Sequence, residues 1–378
     1  KAEYSQLQFP LNIRNIQLKN SAVAILNHDG NTLFSGQNLN AKAAHILMDE
    51  HTIKQALPVS VPLFELTGQK LIFGTAHQNI QVLAAAVNQK SGDFRQIKIL
   101  GKGSNATNMN AAQMNFLLNK WGFSGEKLRL DIQTINVNGM NGKFTAATNK
   151  KTSKKPDYSG IAFPLKVNQV NIRNSSITYT KGGQPLVLNN LNASFGNLVM
   201  DAASIKSKIP FRTGNYRLSS SGFQYQTRYY NIGIGQISIN QNEMDLANFS
   251  MKPRYSRSQF IKMIPVEQDL YTLSAISVSM KGNWNLISSQ PYINASDLVI
   301  STAKANIFRS KIPKDDPKIK PLYSEALRRM KLPVYIANTQ IKDSYLEYEE
   351  DTPKSDGPGK LTFSNFSLVA RNINSAKI

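Results

Sequence analysis

Cysteine is absent from all 378 residues of the chain. That removes disulfide scaffolds, thiolate zinc sites and cysteine nucleophiles at once, and it suits an oxidising compartment where free thiols are avoided. Long apolar runs are missing too: none approaches the roughly 18 residues that a membrane-spanning helix needs. Histidine is scarce, with only His28, His45, His51 and His77. No His-Glu-x-x-His occurs, and His45 and His51 are spaced for no common helical metal pair, so all four read as solvated imidazoles. No Gly-x-Ser-x-Gly elbow is present. Gly101-Lys102-Gly103-Ser104 lacks the rest of a phosphate loop and reads as a strand-to-loop turn.

Acidic residues are also few, 24 against 45 basic ones, for a net charge of +21. Such a balance favours anionic partners, though it also serves solubility. The basic residues gather at Lys150, Lys151, Lys154 and Lys155, at Lys252, Arg254 and Arg257, and at Lys311, Lys314, Lys318 and Lys320, in stretches that read as loops. The acidic run Glu347, Glu349, Glu350 and Asp351 has the residue types of a glycosidase pair or a calcium site. It fits a solvated strand end better. Tyr229, Tyr230, Tyr255 and Tyr271 beside Arg228, Arg254 and Arg257 have the composition of a base-stacking platform. No nucleic-acid-binding motif accompanies them, so packing is the expectation and nucleic acid is not an expected partner.

What the chain does have is alternation and repetition. Residues 10–25 read PLNIRNIQLKNSAVAI, residues 164–179 read PLKVNQVNIRNSSITY, and residues 333–348 read PVYIANTQIKDSYLEY. Each has a proline, alternating apolar residues, an Asn/Asp-Ser pair, and further alternation. Asn38-Leu39-Asn40-Ala41 matches Asn190-Leu191-Asn192-Ala193, and Asn365-Phe366-Ser367-Leu368 fits the same slot. Turn chemistry separates the halves: His28-Asp29-Gly30, Lys181-Gly182-Gly183, and Lys354 through Gly359. Strands that keep their pattern while turns absorb length differences are the mark of hairpins.

Period-2 alternation predicts an all-β fold with few short helices, an elongated antiparallel repeat sheet. Strand content should exceed about 40 %, against a usual 20–25 %. The expected organisation is repeat 1 over residues 1–155, repeat 2 over 156–310, and a short helix with the start of repeat 3 over 311–378. Helical spacing of Met114, Leu117, Leu118 and Trp121 predicts a helix near 110–121. A second is expected within 317–331. The chain opens at Lys1 with no signal-like apolar stretch and closes in strand-like sequence, so it reads as a piece of something longer.

An alternating strand has one apolar face. Val170 shares a face with Ile172, Ile177 with Tyr179, and Leu191 with Ala193 and Phe195. The parity shifts by one at Asn174-Ser175, which reads as a bulge or bend. Ile232 and Ile234, then Ile237 and Ile239, show the same shift across Gly235-Gln236. These eleven residues are the predicted lining of an apolar surface.

The repeated unit resembles AsmA-like proteins, the envelope family that includes the TamB-related proteins. The resemblance is carried by the repeat, by Asn306-Ile307-Phe308-Arg309, Lys311-Ile312-Pro313 and Leu332-Pro333-Val334, by Asp343 through Glu350, and by Gly359-Lys360-Leu361-Thr362-Phe363. It covers about three quarters of the chain, residues 75–130 least. It implies a curled, open β groove that binds phospholipid or another acyl lipid and carries it between inner and outer membranes, with no enzymatic activity, cofactor or metal. It also implies a periplasmic or envelope location, with attachment to a membrane or membrane proteins through a segment outside this chain. The alternative is a structural or adhesive surface protein whose core is filled by its own side chains.

Overall fold

The computed structural model describes residues 10–54, 58–75, 78–102, 108–124, 127–146, 163–206, 210–287, 290–317, 323–354 and 356–375. Strand accounts for 74 % of it, so the all-β expectation holds. His77, Gly103, Ser104, Lys150, Lys151, Lys154, Lys155, Lys318 and Lys320 lie outside the described residues.

Two compact units form. One comprises the described residues up to Gly182 with Asn192–Asn215, the other Gly183–Leu191 with Tyr216 onward. The first unit holds β1 (Leu11–Leu26), β2 (Thr32–Met48), β3 (Leu63–Gly74), β4 (Gln78–Asn88), β5 (Ser91–Gly101), β6 (Asn108–Ser124), β7 (Lys127–Asn138), β8 (Asn141–Ala146) and β9 (Leu165–Lys181). The strand β10 (Gln184–Met200) is divided between the two. The second unit continues with β11 (Asn215–Ser220), β12 (Phe223–Gln226), β13 (Tyr230–Asn240), β14 (Glu243–Pro253), β15 (Asp269–Asn285), β16 (Tyr292–Ser310), β17 (Val334–Asp351) and β18 (Gly359–Asn374).

Within each unit, strands pair with their neighbours in sequence. β1 through β7 form an antiparallel meander, as do β13 through β16. Short turns between strands leave no other choice. Among the described residues parallel pairing is seen where a repeat copy begins: β9 runs parallel to β7 and β8, and β17 parallel to β16. Each follows a connection long enough to bring the chain back to the same end.

Among the described residues the α-helices are α1 (Arg257–Met263) and α2 (Tyr323–Arg328), with single 3-10 turns at Thr52–Lys54 and Ser204–Lys206. The second falls where a helix was expected. The helix expected near 110–121 does not form; those residues belong to β6. The reason is two register shifts in one strand. Ala111 and Met114 pack in one cluster, Phe116 stacks on Phe94, and Trp121 meets Phe123 edge-on. Steps of two, lengthened to three where the strand slips between Leu117 and Lys120, imitate helical spacing. α1 was missed, although Ser256 and Gln259 form a capping box legible as Ser-x-x-Gln.

The stretches read as basic loops differ in part: Lys252 lies in β14 and Arg257 opens α1. The acidic run is no solvated strand end. All four residues belong to β17, and Glu349 is buried at 2 % exposure.

Candidate functional site

The inner face is set by the backbone first. Among the described residues thirteen side-chain-bearing ones adopt left-handed φ of 47–57°, eight of them Asn and one Asp. These residue types tolerate that conformation best, which explains where the chain spends its asparagine. A left-handed residue changes the side that the following side chains take. Phe94 and Ile97, three apart across left-handed Gln96, pack in one cluster, as do Val137 and Met140 across left-handed Gly139. Asn174 has φ 50°, so the parity shift read from the sequence is a real bend.

The repeat motif is the chemistry of this bend. Asn20, Asn174 and Asp343 are left-handed, and the following Ser hydroxyl donates to the carbonyl two residues back, Lys19 O (3.1 Å), Arg173 O (2.8 Å) and Lys342 O (2.8 Å). Asn20 N donates to Asn40 Oδ1 and Asn174 N to Asn192 Oδ1, both at 3.1 Å. Asn38, Asn190 and Asn365 are left-handed as well, and each has a second left-handed residue seven positions later: His45, Asn197 and Asn372.

Register then assembles apolar rows. In the first unit Ile25, Phe34, Phe73, Ile80, Ile99 and Met109 are successive partners over six strands. Ala85, Phe94, Met114, Val137 and Ile172 form another. The five residues Leu39, Leu71, Val82, Ile97 and Ala111 are buried together. Phe64 on β3 and Trp121 on β6 have ring centroids 6.1 Å apart. Three strand spacings of about 4.8 Å would hold those strands about 14 Å apart in a flat sheet, so this face is concave. A cleft of ≈ 550 Å³ lies along Leu71, Val82, Leu83, Ile97 and Ala111, with Lys70 and Lys98 at its wall. Another of ≈ 350 Å³ adjoins Ile16, Ala43, Leu63 and Phe64, with Lys42 beside it. The first has the size of a small-ligand site.

In the second unit Ile237, Leu246, Val278, Ile300, Ile341 and Leu368 form a six-strand row. Ile232, Met251, Leu273, Ala305, Leu346 and Phe363 form the next but one. These rows are mostly half-buried and grow open toward β18, where Leu368 is 43 % exposed. Polar groups close one end. Asp269 accepts from Arg309 (2.6 Å) and from the Tyr271 hydroxyl (3.1 Å). Burial, reinforced by the Asp269 charge, pushes Tyr271 up to about 12. Burial and a hydrogen bond to Glu350 do the same to Tyr348. Elsewhere Phe260 of α1 packs with Leu270, Phe308 and Tyr229, and Arg257 lies 4.2 Å over the Phe308 ring while pairing with Glu349.

The predicted lining residues take these places. In the first unit Val170 partners Ile135, Ile172 partners Val137, Ile177 partners Gly142, and Tyr179, 41 % exposed, partners Phe144. Leu191 and Ala193 are buried and Phe195 is half-buried. In the second unit Ile232, Ile234, Ile237 and Ile239 face Met251, Phe249, Leu246 and Met244. Sequence reasoning missed Phe64, Trp121 and the Asp269 and Arg309 pair. Trp121 was hidden by its helix-like spacing; the ion pair joins residues 40 apart in sequence and leaves no local signal.

Among the described residues no group of three or more His, Asp or Glu is placed to hold a metal ion, and no helix is long and apolar enough to cross a membrane. No protein family, curated protein or solved structure matches the chain.

Proposed function

We propose that the apolar inner faces bind phospholipid or other acyl chains, and that the protein is a non-enzymatic lipid carrier of the cell envelope, working between inner and outer membranes. The observation that carries this reading is the set of registered apolar rows, up to six strands wide and left half-open. Such a face must be covered by something apolar. An acyl chain supplies about 0.8 kcal/mol for each methylene buried. The lysines beside the first-unit clefts suit a phosphate head group, as does the net charge of +21.

One observation favours the structural or adhesive alternative: Leu39, Leu71, Val82, Ile97 and Ala111 already cover one another. Native mass spectrometry of the purified protein separates the two. Co-purifying phospholipid, lost in a folded Ile234→Asp variant, supports the carrier. A lipid-free protein whose Ile234→Asp variant unfolds supports the filled core.

A further inference from the structure

One end of the second unit carries cations that have no acid partner among the described residues. At that end β13 begins at Tyr230, β14 ends at Pro253, β15 begins at Asp269 and β16 ends at Ser310. Arg228 lies in the turn before β13, Lys252 at the end of β14, Arg254 just beyond it and Lys262 on α1, and all four are exposed. None of them enters an ion pair. The only acids between Tyr225 and Val266 are Glu243 and Asp245, at the opposite end of the β13–β14 hairpin. Nearer acids are engaged: Asp269 with Arg309, Glu267 with Lys311 and Glu349 with Arg257, while Asp315 hydrogen-bonds to Glu267.

Two of these cations are held in place. Arg254 Nη1 donates to Thr227 O at 2.8 Å and Arg254 N to Tyr229 O at 2.9 Å, so Arg254 clamps the turn that carries Arg228. The Arg228 guanidinium lies 5.1 Å over the Tyr229 ring, and that of Arg254 5.6 Å over the Tyr255 ring. Tyr229 in turn stands edge-on to buried Phe260, with ring centroids 5.5 Å apart. A guanidinium fixed by a ring and a carbonyl keeps its charge, and its planar fork matches phosphate oxygens.

An apolar side chain joins them. Ile312, just after β16, is 52 % exposed. Its turn is ordered: Ile312 N donates to the buried Ser310 Oγ at 3.3 Å, Lys311 N to Asp351 O at 2.7 Å, and Glu267 N to Lys314 O at 2.9 Å. The last bond ties this turn to the segment leaving α1, where Pro265 is exposed as well.

We infer that this end of the second unit docks on the surface of an anionic bilayer, with Arg228, Lys252, Arg254 and Lys262 meeting lipid phosphates and Ile312 entering the acyl boundary. Cations beside an exposed apolar side chain fit both layers of such a surface. A nucleic acid or an acidic polysaccharide would use the cations and leave Ile312 in water. Docking goes beyond acyl binding by the inner faces, and either fails without the other: vesicle flotation measures the surface contact, native mass spectrometry the bound chain.

The test uses the full chain. It has no cysteine, so Ile312→Cys carries a single environment-sensitive dye, and Asn242→Cys, in the turn between β13 and β14, carries the same dye as a control. Vesicles of phosphatidylcholine with phosphatidylglycerol should float the chain, less so as salt rises, and should shift the dye to the blue at position 312 but not at 242. Arg228→Gln, Lys252→Gln and Lys262→Gln together should weaken binding about a hundredfold, at about fivefold for each cation, with no change in melting temperature. Lys19→Gln, Lys90→Gln and Lys120→Gln remove the same charge from the first unit and should cost less than about twofold. No flotation on the anionic vesicles, equal flotation on pure phosphatidylcholine, equal loss in the two triple variants, or an unshifted dye at 312 on vesicles that float the chain would each overturn the proposal. So would heparin that shifts the dye at 312 as the vesicles do.

Discussion

The first unit closes its bend with its own side chains, whereas the second leaves its rows half-open. In the first, Gly68 makes the closure possible: a Cβ there would stand 2.7 Å from Leu39 Cδ2 and 3.0 Å from Leu71 Cδ2, so the leucines enter the space a side chain would take. In the second, the row from Ile237 to Leu368 passes from 8 % to 43 % exposure across six strands. The same alternating sequence thus supports a packed core in one region and an open apolar surface in the other. The deciding variable is whether small residues let large ones cross the sheet face.

That contrast is broken most severely by a charge on each side of it. Val82 is 4 % exposed and packs among Leu39, Leu71, Ile97 and Ala111. Val82→Asp should destabilise the first unit by about 4 kcal/mol or more, because an unpaired carboxylate must be buried or neutralised. Ile300→Asp, on a half-open row, should leave the fold intact and remove bound acyl chains. Thermal melts with lipid mass spectrometry on both variants check this. Equal loss of fold in the two would erase the distinction.

The second unit also differs in holding a buried charge. Hydrogen bonding from Arg257 is the main cause holding Glu349 at about 2, against an ordinary 4.5. A lowered carboxylate stabilises the fold fully above its unfolded value and loses that contribution as pH falls through its folded value. Stability of the second unit should therefore drop between pH 4.5 and about 2, by up to about 3 kcal/mol. Arg257→Ala should cost about 2 kcal/mol at neutral pH, less than a fully buried pair because Arg257 is 42 % exposed and Lys360 remains 3.4 Å from Glu349. Acid titration of melting in both proteins measures it: the variant should lose most of the acid-induced drop.

Much of this was legible in the sequence, for physical reasons that also mark where legibility ends. Period-2 alternation marked the strands, and the parity shift at Asn174-Ser175 marked a bend, because left-handed backbone selects residue type locally; the left-handed Asn38 and Asn190 that open the Asn-Leu-Asn-Ala segments were not read as bends. Ile172 and Ile237 were placed on apolar rows from spacing alone. β6 was not legible, since two shifts in one strand make i, i+3, i+7 out of i, i+2. Nor was the burial of Glu349, whose partner Arg257 is 92 residues away. Which rows stay open depends on neighbours several strands off, as Phe64 and Trp121 show, and no local pattern carries that.

The smallest effect sharpens the comparison at the bend itself. Asn174 and Asn248 have the same handedness, φ 50° and 55°, in different units. Replacing either with alanine should cost about 1–2 kcal/mol, the penalty for a Cβ in left-handed backbone without a local polar side chain. Glycine removes that penalty and isolates the side chain. Asn174 Nδ2 donates to Asn138 Oδ1 at 3.1 Å, while Asn248 makes no side-chain hydrogen bond among the described residues. Asn174→Gly should therefore still lose about 1 kcal/mol, most of it from the amide contact between adjacent strands. Asn248→Gly should lose only a few tenths, because its side chain contributes handedness and nothing more. Denaturant midpoints for the four variants give the answer directly. If both glycines behave alike, the asparagines act through backbone conformation in both units. If only Asn174→Gly is costly, the first unit's bend is also held by its amide ladder, which runs on through Asn171, Asn136 and Asn115 at 2.9 and 2.8 Å.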